Sequence, residues 1–390
     1  MTLKTSSRGS IPPFLALDIL RQANARAAAG DSVLHLEVGE PATAAPEAVR
    51  RAAIAAIEAG RVGYTDAGGL PSLRRRIARS YLERYGEEVD PARVMVTTGS
   101  SGGFLLAFLA AFDVGDRVAL AAPGYPAYRY ILSAVGLEPV LLPVTAADRY
   151  QPTPALLDSL ERPVDGLIVA SPSNPTGTML DRQHLAALLN YCRARGIRVV
   201  SDEIYHGITF GPSPTTVLSL GDEAIVVNSF SKYFSMTGWR IGWLVLPEAL
   251  VRSVECLIQS LFISAPLVSQ VAGEAAFDCK AELDAYVAAY ARKRNLLVER
   301  LPKAGFTRLA PADGAFYLYA DVGDLTNDSQ NFCARMLEEI GVAMTPGVDF
   351  DPERGHRFVR ISFAGAESEI ASACDRLERW IKGLRGNGRA

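Results

Sequence analysis

The chain has 390 residues, 49% of them hydrophobic and 21% charged, which is an ordinary composition for a globular protein. A formal net charge of −3 gives no electrostatic reason to expect a nucleic acid or an anionic membrane as partner. The longest apolar run, residues 104–112, is too short to span a bilayer. The four histidines lack the spacing of metal ligands, so we expect no metal site.

The five cysteines are scattered along the chain and form no C-x-x-C pair. This usage is typical of reduced, mostly buried thiols in a cytoplasmic protein. The N-terminus is basic and serine-rich, but no apolar segment with a small-residue cleavage site follows it, so a signal peptide is not expected. We therefore predict a cytoplasmic protein.

The first 45 residues contain an early break at Pro12 and Pro13. From about residue 46 to about residue 285, short apolar runs alternate with longer polar or helical segments. The stretch GSSGG, residues 99–103, is predicted as a loop that leads into a helix over residues 104–112. This alternation indicates an α/β domain with a mainly parallel sheet flanked by helices. Strands are predicted at residues 93–98, 117–121, 166–170, 197–201, 224–228 and 241–245.

The character of the sequence changes beyond about residue 285. A long charged helix is predicted at residues 288–301, with strands near 315–320 and 358–363 and helices near 331–340 and 367–384. These elements would build a smaller α+β domain, onto which the N-terminal residues pack. We therefore predict a large domain at residues 46–285 and a small domain formed by residues 1–45 and 286–390.

Polar residues follow several predicted strands of the large domain. Ser100 and Ser101 come before a helix, whose N-terminal amides favour an anion. Asn174 lies in SPSNPTGT after the third strand, and Asp202 and Tyr205 lie in SDEIYHG after the fourth. Ligands of such sheets bind at the carboxyl ends of the strands, so we expect these side chains to lie together.

The stretch NSFSKYFSMTGWRIGW places Lys232 between two apolar strands, with Ser229 before it and Arg240 after it. A buried lysine with a lowered pKa forms a Schiff base with a carbonyl compound. Pyridoxal phosphate requires such a lysine, an acid for its ring nitrogen, and donors for its phosphate. A surface lysine in a salt bridge is the alternative, which the apolar flanks disfavour.

The chain resembles the class I/II aminotransferases, which are fold-type I pyridoxal-phosphate enzymes. The resemblance rests on motifs that occur in the family's order through most of the chain: LEVGEP, GYTDAGGLPSLRRRIA, VTTGSSGG, APGYPAY, SPSNPTGT, SDEIYHG, the lysine motif and FVRISFA. It implies an aminotransferase that moves the amino group of an α-amino acid to a 2-oxo acid through a lysine-bound cofactor.

The resemblance also implies roles for individual residues. Lys232 would hold the cofactor and move the substrate proton, and Asp202 would pair with the ring nitrogen. Tyr205 and Asn174 would donate to the ring 3-oxygen, with Asn174 also near the substrate, and Tyr125 would stack on the ring. The phosphate would be held by Ser100, Ser101, Ser229 and Arg240.

Three further residues extend the implied site. Tyr64 matches a tyrosine that reaches the cofactor of the neighbouring subunit, which implies a homodimer with shared active sites. Arg360 matches the arginine that binds the substrate α-carboxylate, and Gly39 lines the same pocket. No second arginine for a side-chain carboxylate is identifiable in these motifs, so the sequence does not support a preference for dicarboxylates.

Parts of the sequence are also compatible with functions other than transamination. A pyridoxal-phosphate-dependent C–S lyase, or another fold-type I reaction on an amino acid, remains open because the same cofactor supports it. The stretch from Ser229 to Lys232 also fits the S-x-x-K motif of β-lactamases, but no K-T-G element occurs, so we reject that class. An aminotransferase-like sensor of a DNA-binding regulator is disfavoured, because no basic DNA-binding module precedes the fold.

Overall fold

The computed structural model describes residues 3–60, 62–211 and 213–386. Its strands are β1 (Leu34–His35), β2 (Val94–Thr97), β3 (Arg117–Ala122), β4 (Glu138–Pro143), β5 (Gly166–Ala170), β6 (Arg198–Asp202), β7 (Ile225–Ser229), β8 (Gly242–Val245), β9 (Arg308–Leu309), β10 (Tyr317–Asp321), β11 (Val342–Ala343), β12 (Thr345–Pro346) and β13 (Phe358–Ser362).

Helices surround these strands. In chain order they are α1 (Leu15–Ala28), α2 (Glu47–Glu58), α3 (Pro71–Tyr85), α4 (Gly99–Ala111), α5 (Pro126–Val135), α6 (Pro154–Asp158), α7 (Arg182–Ala194), α8 (Glu248–Leu261), α9 (Leu267–Ala276), α10 (Lys280–Arg300), α11 (Ser329–Ile340) and α12 (Glu367–Gly386). None of these described helices has both the length and the apolar character needed to cross a membrane.

A seven-stranded sheet with the strand order β2-β8-β7-β6-β5-β3-β4 forms the centre of the large domain. Its strands pair in parallel except β8, which runs antiparallel to both β2 and β7. The residues of β2, β7 and β8 are buried, as expected for strands covered by helices on both faces. The predicted α/β fold class is confirmed.

A second sheet has the order β12-β13-β10-β9 and is antiparallel. A parallel pair joins the N-terminal β1 to β11, so the first residues of the chain pack against C-terminal elements. Both sheets belong to the segments predicted to form the small domain. The proposed boundaries at residues 46 and 285 stay a prediction.

Two local predictions differ from the structure. The stretch GSSGG is not a loop, because α4 begins at Gly99 and includes all five residues. Gly99 turns the chain with φ +74°, a left-handed conformation that glycine adopts at no steric cost, and the helix continues from there. The strand β4 was not predicted, because its two prolines resemble strand breakers; they are tolerated here because β4 lies at the edge of the sheet.

Strand topology determines where polar side chains meet. Asn174 follows β5, Asp202 ends β6 and Lys232 follows β7, and these three parallel strands are neighbours in the sheet. Their carboxyl ends therefore open on the same edge, next to the N-terminus of α4. Arg360 reaches this edge from β13 of the other sheet.

Candidate active site

A cavity of about 270 Å³ lies at the carboxyl edge of the large sheet and is lined by residues from both sheets. Ten of the twelve predicted site residues line it, together with several residues that the sequence does not single out. The predicted residues in its wall are Gly39, Ser100, Ser101, Tyr125, Asn174, Asp202, Tyr205, Lys232, Arg240 and Arg360. The others are Phe14, Ala16, Leu17, Val38, Glu40, Phe104, Tyr128, Ile204, Ser231, Thr237 and Tyr317.

Lys232 projects into this cavity, and its Nζ donates to the backbone oxygen of Gly39 at 2.7 Å. Burial lowers the pKa of the Lys232 amine to about 8; the carboxylate of Glu40 opposes this shift, and the Arg360 and Arg240 charges add to it. A much larger fraction of this amine is therefore neutral near pH 7 than of an exposed lysine. The neutral form is the nucleophile that attacks a carbonyl group.

Asp202 places a carboxylate on the floor of the cavity, where its side chain is almost fully buried. Burial raises the pKa of Asp202 to about 6, and hydrogen bonds from the Tyr128 hydroxyl and from the Ile204 amide at 3.0 Å oppose that shift. A buried carboxylate gains most from a cationic partner, because solvent no longer stabilises its charge. The cavity can therefore hold a protonated ring nitrogen beside Asp202.

An anion-binding end of the cavity is formed by the first turn of α4 and by Arg240. Ser100 and Ser101 lie in that turn, where backbone amides have no partner within the helix. A Cβ on Gly99 would lie 2.6 Å from Arg240 Nη2, so a glycine is needed for the guanidinium to approach the helix. Arg240 itself has φ +51° and donates from Nη1 to the Thr237 oxygen at 2.9 Å.

The two serines before Lys232 have different positions. Ser231 lines the cavity, whereas Ser229 is buried behind it. The Ser229 hydroxyl donates to the Ile241 oxygen at 3.1 Å and lies 2.9 Å from the Ser231 hydroxyl. The proposed contact of Ser229 with an anion therefore stays a prediction, and Ser231 joins it as a candidate.

Arg360 forms the opposite end of the cavity. Its guanidinium donates to Asn174 Oδ1 and to Thr345 Oγ1, each at 3.1 Å, and to the backbone oxygen of Glu37. It also lies over the ring of Tyr317, at 4.6 Å from the ring centroid. The Nε atom has no hydrogen-bond partner among the residues that the structure describes, although the side chain is only 3% exposed. An unpaired buried donor is costly, so an anionic group at this end would be stabilised.

Two tyrosines define the wall between these ends. The hydroxyls of Tyr205 and Tyr317 are 2.8 Å apart and both are buried. A Cβ on residue 39 would lie 1.8 Å from the Tyr317 hydroxyl oxygen, so only glycine fits at Gly39. The ring of Tyr125 packs edge-on against Tyr128, with centroids 5.3 Å apart.

Tyr64, like Ser229, is a predicted site residue that does not line the cavity. Its side chain is 82% exposed on the surface of this chain. Its expected role toward a neighbouring subunit stays a prediction.

Tyr128, Tyr317 and Ser231 are cavity residues that the sequence reading did not identify. Tyr128 lies in the same APGYPAY motif as Tyr125, one helical turn away, so a search at helical spacing would have found it. Tyr317 lies on β10 beside β13, and its closeness to Tyr205 depends on the packing of two sheets. No local signal marks that contact.

Similarity to known proteins identifies the family to which the chain belongs. Residues 31–377 match the model of the family described as aminotransferase class I and II. The chain belongs to the class I and II aminotransferases. It is 48% identical to a valine–pyruvate aminotransferase of Mycobacterium tuberculosis, over 98% of this chain and 99% of that protein.

Two crystal structures are similar along nearly the whole chain. An aminotransferase from Mycobacterium tuberculosis superposes with a TM-score of 0.96 and 48% identity, covering 98% of this chain and 100% of that one. A structure described as a putative aminotransferase from Silicibacter pomeroyi has a TM-score of 0.92 and 53% identity, with the same coverage. The chain is therefore an enzyme that transfers an amino group from an amino acid to a 2-oxo acid.

Class I and II aminotransferases are pyridoxal-phosphate enzymes. The donor set of the cavity fits this cofactor: the Lys232 amine for its aldehyde, Asp202 for its ring nitrogen, and the α4 N-terminus with Arg240 for its phosphate. Gly99 leaves room for the Arg240 guanidinium beside the first turn of α4, and a Cβ at this position would obstruct that approach.

Proposed function

We propose that this chain binds pyridoxal phosphate through Lys232 and transfers the amino group of a neutral, aliphatic α-amino acid to pyruvate. One observation carries the proposal: a single cavity holds an amine with a lowered pKa, a buried carboxylate, an anion-binding helix end and a second, separate arginine. Each group corresponds to one requirement of the cofactor or of the substrate carboxylate.

The cofactor would be held by residues of the large sheet and of α4. Asp202 would bind the ring nitrogen, and Tyr205 and Asn174 would donate to the ring 3-oxygen. Tyr125 would pack on the ring, and the phosphate would lie among Ser100, Ser101, Ser229, Ser231 and Arg240. When bound, pyridoxal phosphate supplies an electron sink that stabilises negative charge at the substrate α-carbon.

The side chains of this protein would perform the remaining tasks. Arg360 binds the α-carboxylate with its planar guanidinium and so fixes the direction of the Cα–H bond. The free amine of Lys232 accepts the proton from the substrate α-carbon and then donates it to the cofactor carbon that carries the amino group. The buried side chains around Lys232, Tyr205 and Arg360 among them, limit the access of water that would compete for that proton.

The rest of the cavity favours a neutral substrate side chain. Among the described lining residues the cations are Lys232, Arg240 and Arg360, and the proposal assigns all three to other tasks. The remaining wall includes the apolar side chains of Phe14, Leu17 and Val38, besides the polar Glu40 and Thr237. The similarity to a valine–pyruvate aminotransferase supports the same preference and a monocarboxylate acceptor.

A panel of amino acids tests this function. Purified enzyme with pyridoxal phosphate and pyruvate should form alanine from valine, with kcat/KM at least roughly 10²-fold higher than from aspartate, because a second carboxylate would be buried without a partner. Formation of alanine is measured by chromatography. A higher rate with aspartate, or release of a sulfur group from cysteine conjugates without alanine formation, would contradict the proposal.

We further propose that the active unit is a homodimer and that Tyr64 contributes to the partner's cofactor site. Tyr64 lies among exposed apolar side chains, which include Val62 and Ile263. Ile263 has φ +65°, a strained conformation for a β-branched residue, and the Thr65 amide donates to the adjacent Ser264 hydroxyl at 3.3 Å. A constrained apolar surface of this kind favours a protein contact.

Sedimentation velocity should give the mass of two chains, and Tyr64→Phe should bind pyridoxal phosphate roughly two- to tenfold more weakly, the cost of one hydrogen bond. Leu82→Ala, another exposed apolar residue on α3, serves as the control and should leave cofactor binding unchanged. A fully active monomer would exclude a shared site.

The cytoplasmic location also stays a prediction, which fractionation of the source cells would test.

A further inference from the structure

The N-terminus of α1 lacks a local cap. Its N-cap residue is Phe14, whose side chain has no group that could accept a hydrogen bond from the first amides. Ser, Thr, Asp and Asn are the residues that normally take this position. Phe14 lines the cavity instead, and its ring meets Tyr125 edge-on with centroids 5.9 Å apart. The N-cap position of α1 is therefore occupied by a residue whose side chain lines the cavity, so the first amides of the helix need an acceptor from another segment.

Asp349 supplies that cap from the other end of the chain. Its carboxylate accepts the amide of Leu15 at 3.3 Å and the amide of Ala16 at 3.1 Å. The side chain is 1% exposed, and a carboxylate at this place also faces the positive end of the helix dipole. Both oxygens are thus used on the first turn of α1, across more than 330 positions of sequence.

Asp349 is itself held rigidly next to the carboxylate-binding end of the cavity. The Arg129 guanidinium donates to the Asp349 backbone oxygen at 2.6 Å. The next residue, Phe350, has its ring under the Arg360 guanidinium, 4.8 Å from the ring centroid. The turn that carries Asp349 therefore positions both Arg360 and the beginning of α1.

The first turn of α1 brings Phe14, Ala16 and Leu17 to the cavity wall. Leu17 is 54% exposed, so its own packing does not fix its place. Helix ends without caps fray, because their first amides have no partner within the helix. The position of this apolar wall therefore depends on the two hydrogen bonds to Asp349.

We infer that Asp349 is a positioning residue for substrate specificity: by capping α1 in trans, it holds the apolar first turn against the substrate side chain. This inference rests on the proposed function, which assigns a neutral aliphatic side chain to that wall. Asp349 does not line the cavity and is not assigned to the cofactor. Its loss should consequently affect large substrate side chains and spare cofactor binding.

The test compares the holoenzyme with Asp349→Ala in two half-reactions, with valine and with alanine. KM for valine should rise roughly 5- to 30-fold, as expected for loss of a helix cap, whereas KM for alanine, whose methyl group is too short to need the wall, should change about twofold or less. The dissociation constant of pyridoxal phosphate should stay the same. Amide hydrogen exchange of residues 14–18 should become faster, while that of α4 should not change.

Two further variants control for general loss of structure. Asp181 caps α7 through the His184 amide at 2.8 Å and does not line the cavity, so Asp181→Ala should lower stability without changing the valine-to-alanine ratio. Asp349→Asn keeps an oxygen acceptor and should restore part of the valine KM. If Asp349→Ala does not fold, the same kinetic comparison and hydrogen-exchange measurement are made with Asp349→Asn.

The outcomes separate this inference from the proposed function. If the wild type transfers no amino group from any neutral amino acid, the proposed function fails, and the hydrogen exchange of residues 14–18 still tests the cap. If the wild type is active but the Asp349 variants lower valine and alanine turnover equally, or weaken cofactor binding, the inference is overturned and the function stands.

Discussion

Replacing Lys232 by alanine is expected to lower kcat/KM for every amino acid by roughly 10⁴-fold, because the variant loses the amine that binds the carbonyl and moves the α-proton. Borohydride treatment of the wild-type holoenzyme should fix a pyridoxyl group on the Lys232 peptide, detected by mass spectrometry. The Asp202 carboxylate and the α4 N-terminus remain in the variant, so it should still bind cofactor without a covalent bond.

Lys293 provides a matched control. It is also buried, which lowers the pKa of its amine to about 8, but its Nζ donates to the backbone oxygens of Ala364 at 3.2 Å and Gly365 at 2.6 Å. Lys293→Met should lower stability by about 1–3 kcal/mol, because two carbonyls lose their donor, and should keep the adduct at Lys232. An adduct on Lys293, or an unchanged rate in the Lys232 variant, would refute the assignment.

The lowered pKa of Lys232 also predicts how cofactor-free protein takes up pyridoxal phosphate. The amine reacts in its neutral form, whose fraction increases as the pH rises through about 8. The rate of covalent uptake, followed by absorbance, should therefore increase across that range. A rate that is flat across it would mean that the amine does not titrate there.

Replacing Arg360 by lysine is expected to reduce kcat/KM for amino acids by roughly 10²- to 10³-fold, while the affinity for pyridoxal phosphate changes little. Lysine keeps the positive charge but loses the planar group that forms two parallel hydrogen bonds with a carboxylate. It would also release Asn174 and Thr345, which the guanidinium now contacts at 3.1 Å. Steady-state kinetics and cofactor titration measure the two effects separately.

Arg357 serves as the control for Arg360, since it precedes the same strand but is exposed and pairs with Asp321 at 3.2 Å. Arg357→Lys should leave kcat/KM nearly unchanged, as expected for an exposed ion pair. If Arg360→Lys were as active as the wild type, or if amines without a carboxylate reacted equally well, Arg360 would not bind the substrate.

The sequence predicted much of this arrangement because the chemistry lies at strand ends. Buried strands are visible as apolar runs, and the residue that follows each run then falls at a known edge of the sheet. Asp202 and Lys232 were placed in this way, and the cavity contains both. Arg360 was found through the resemblance, together with its place in an apolar strand.

Other features depend on contacts between distant segments, which a local pattern does not record. The hydrogen bond from Tyr128 to Asp202 and the pair Tyr205–Tyr317 form only when helices and sheets pack. The cap by Asp349 was hidden for the same reason, since Phe14 shows no capping chemistry of its own. Strand β4 was missed because proline is compatible with a strand only at an edge, and edge position is a property of the whole sheet.

The antiparallel strand β8 has a mechanical consequence. Because β7 and β8 are neighbours, residues 230–241 form a hairpin connection, closed at its base by the hydrogen bond from the Phe230 amide to the Ile241 oxygen at 3.1 Å. Lys232 and Arg240 both lie on this closed loop, so the proposed reactive amine and the proposed phosphate-binding cation are carried by one short segment. Arg360 belongs to a different sheet. A rotation of one sheet against the other would therefore change the space between Arg360 and this loop, while Lys232 and Arg240 would move together with the loop.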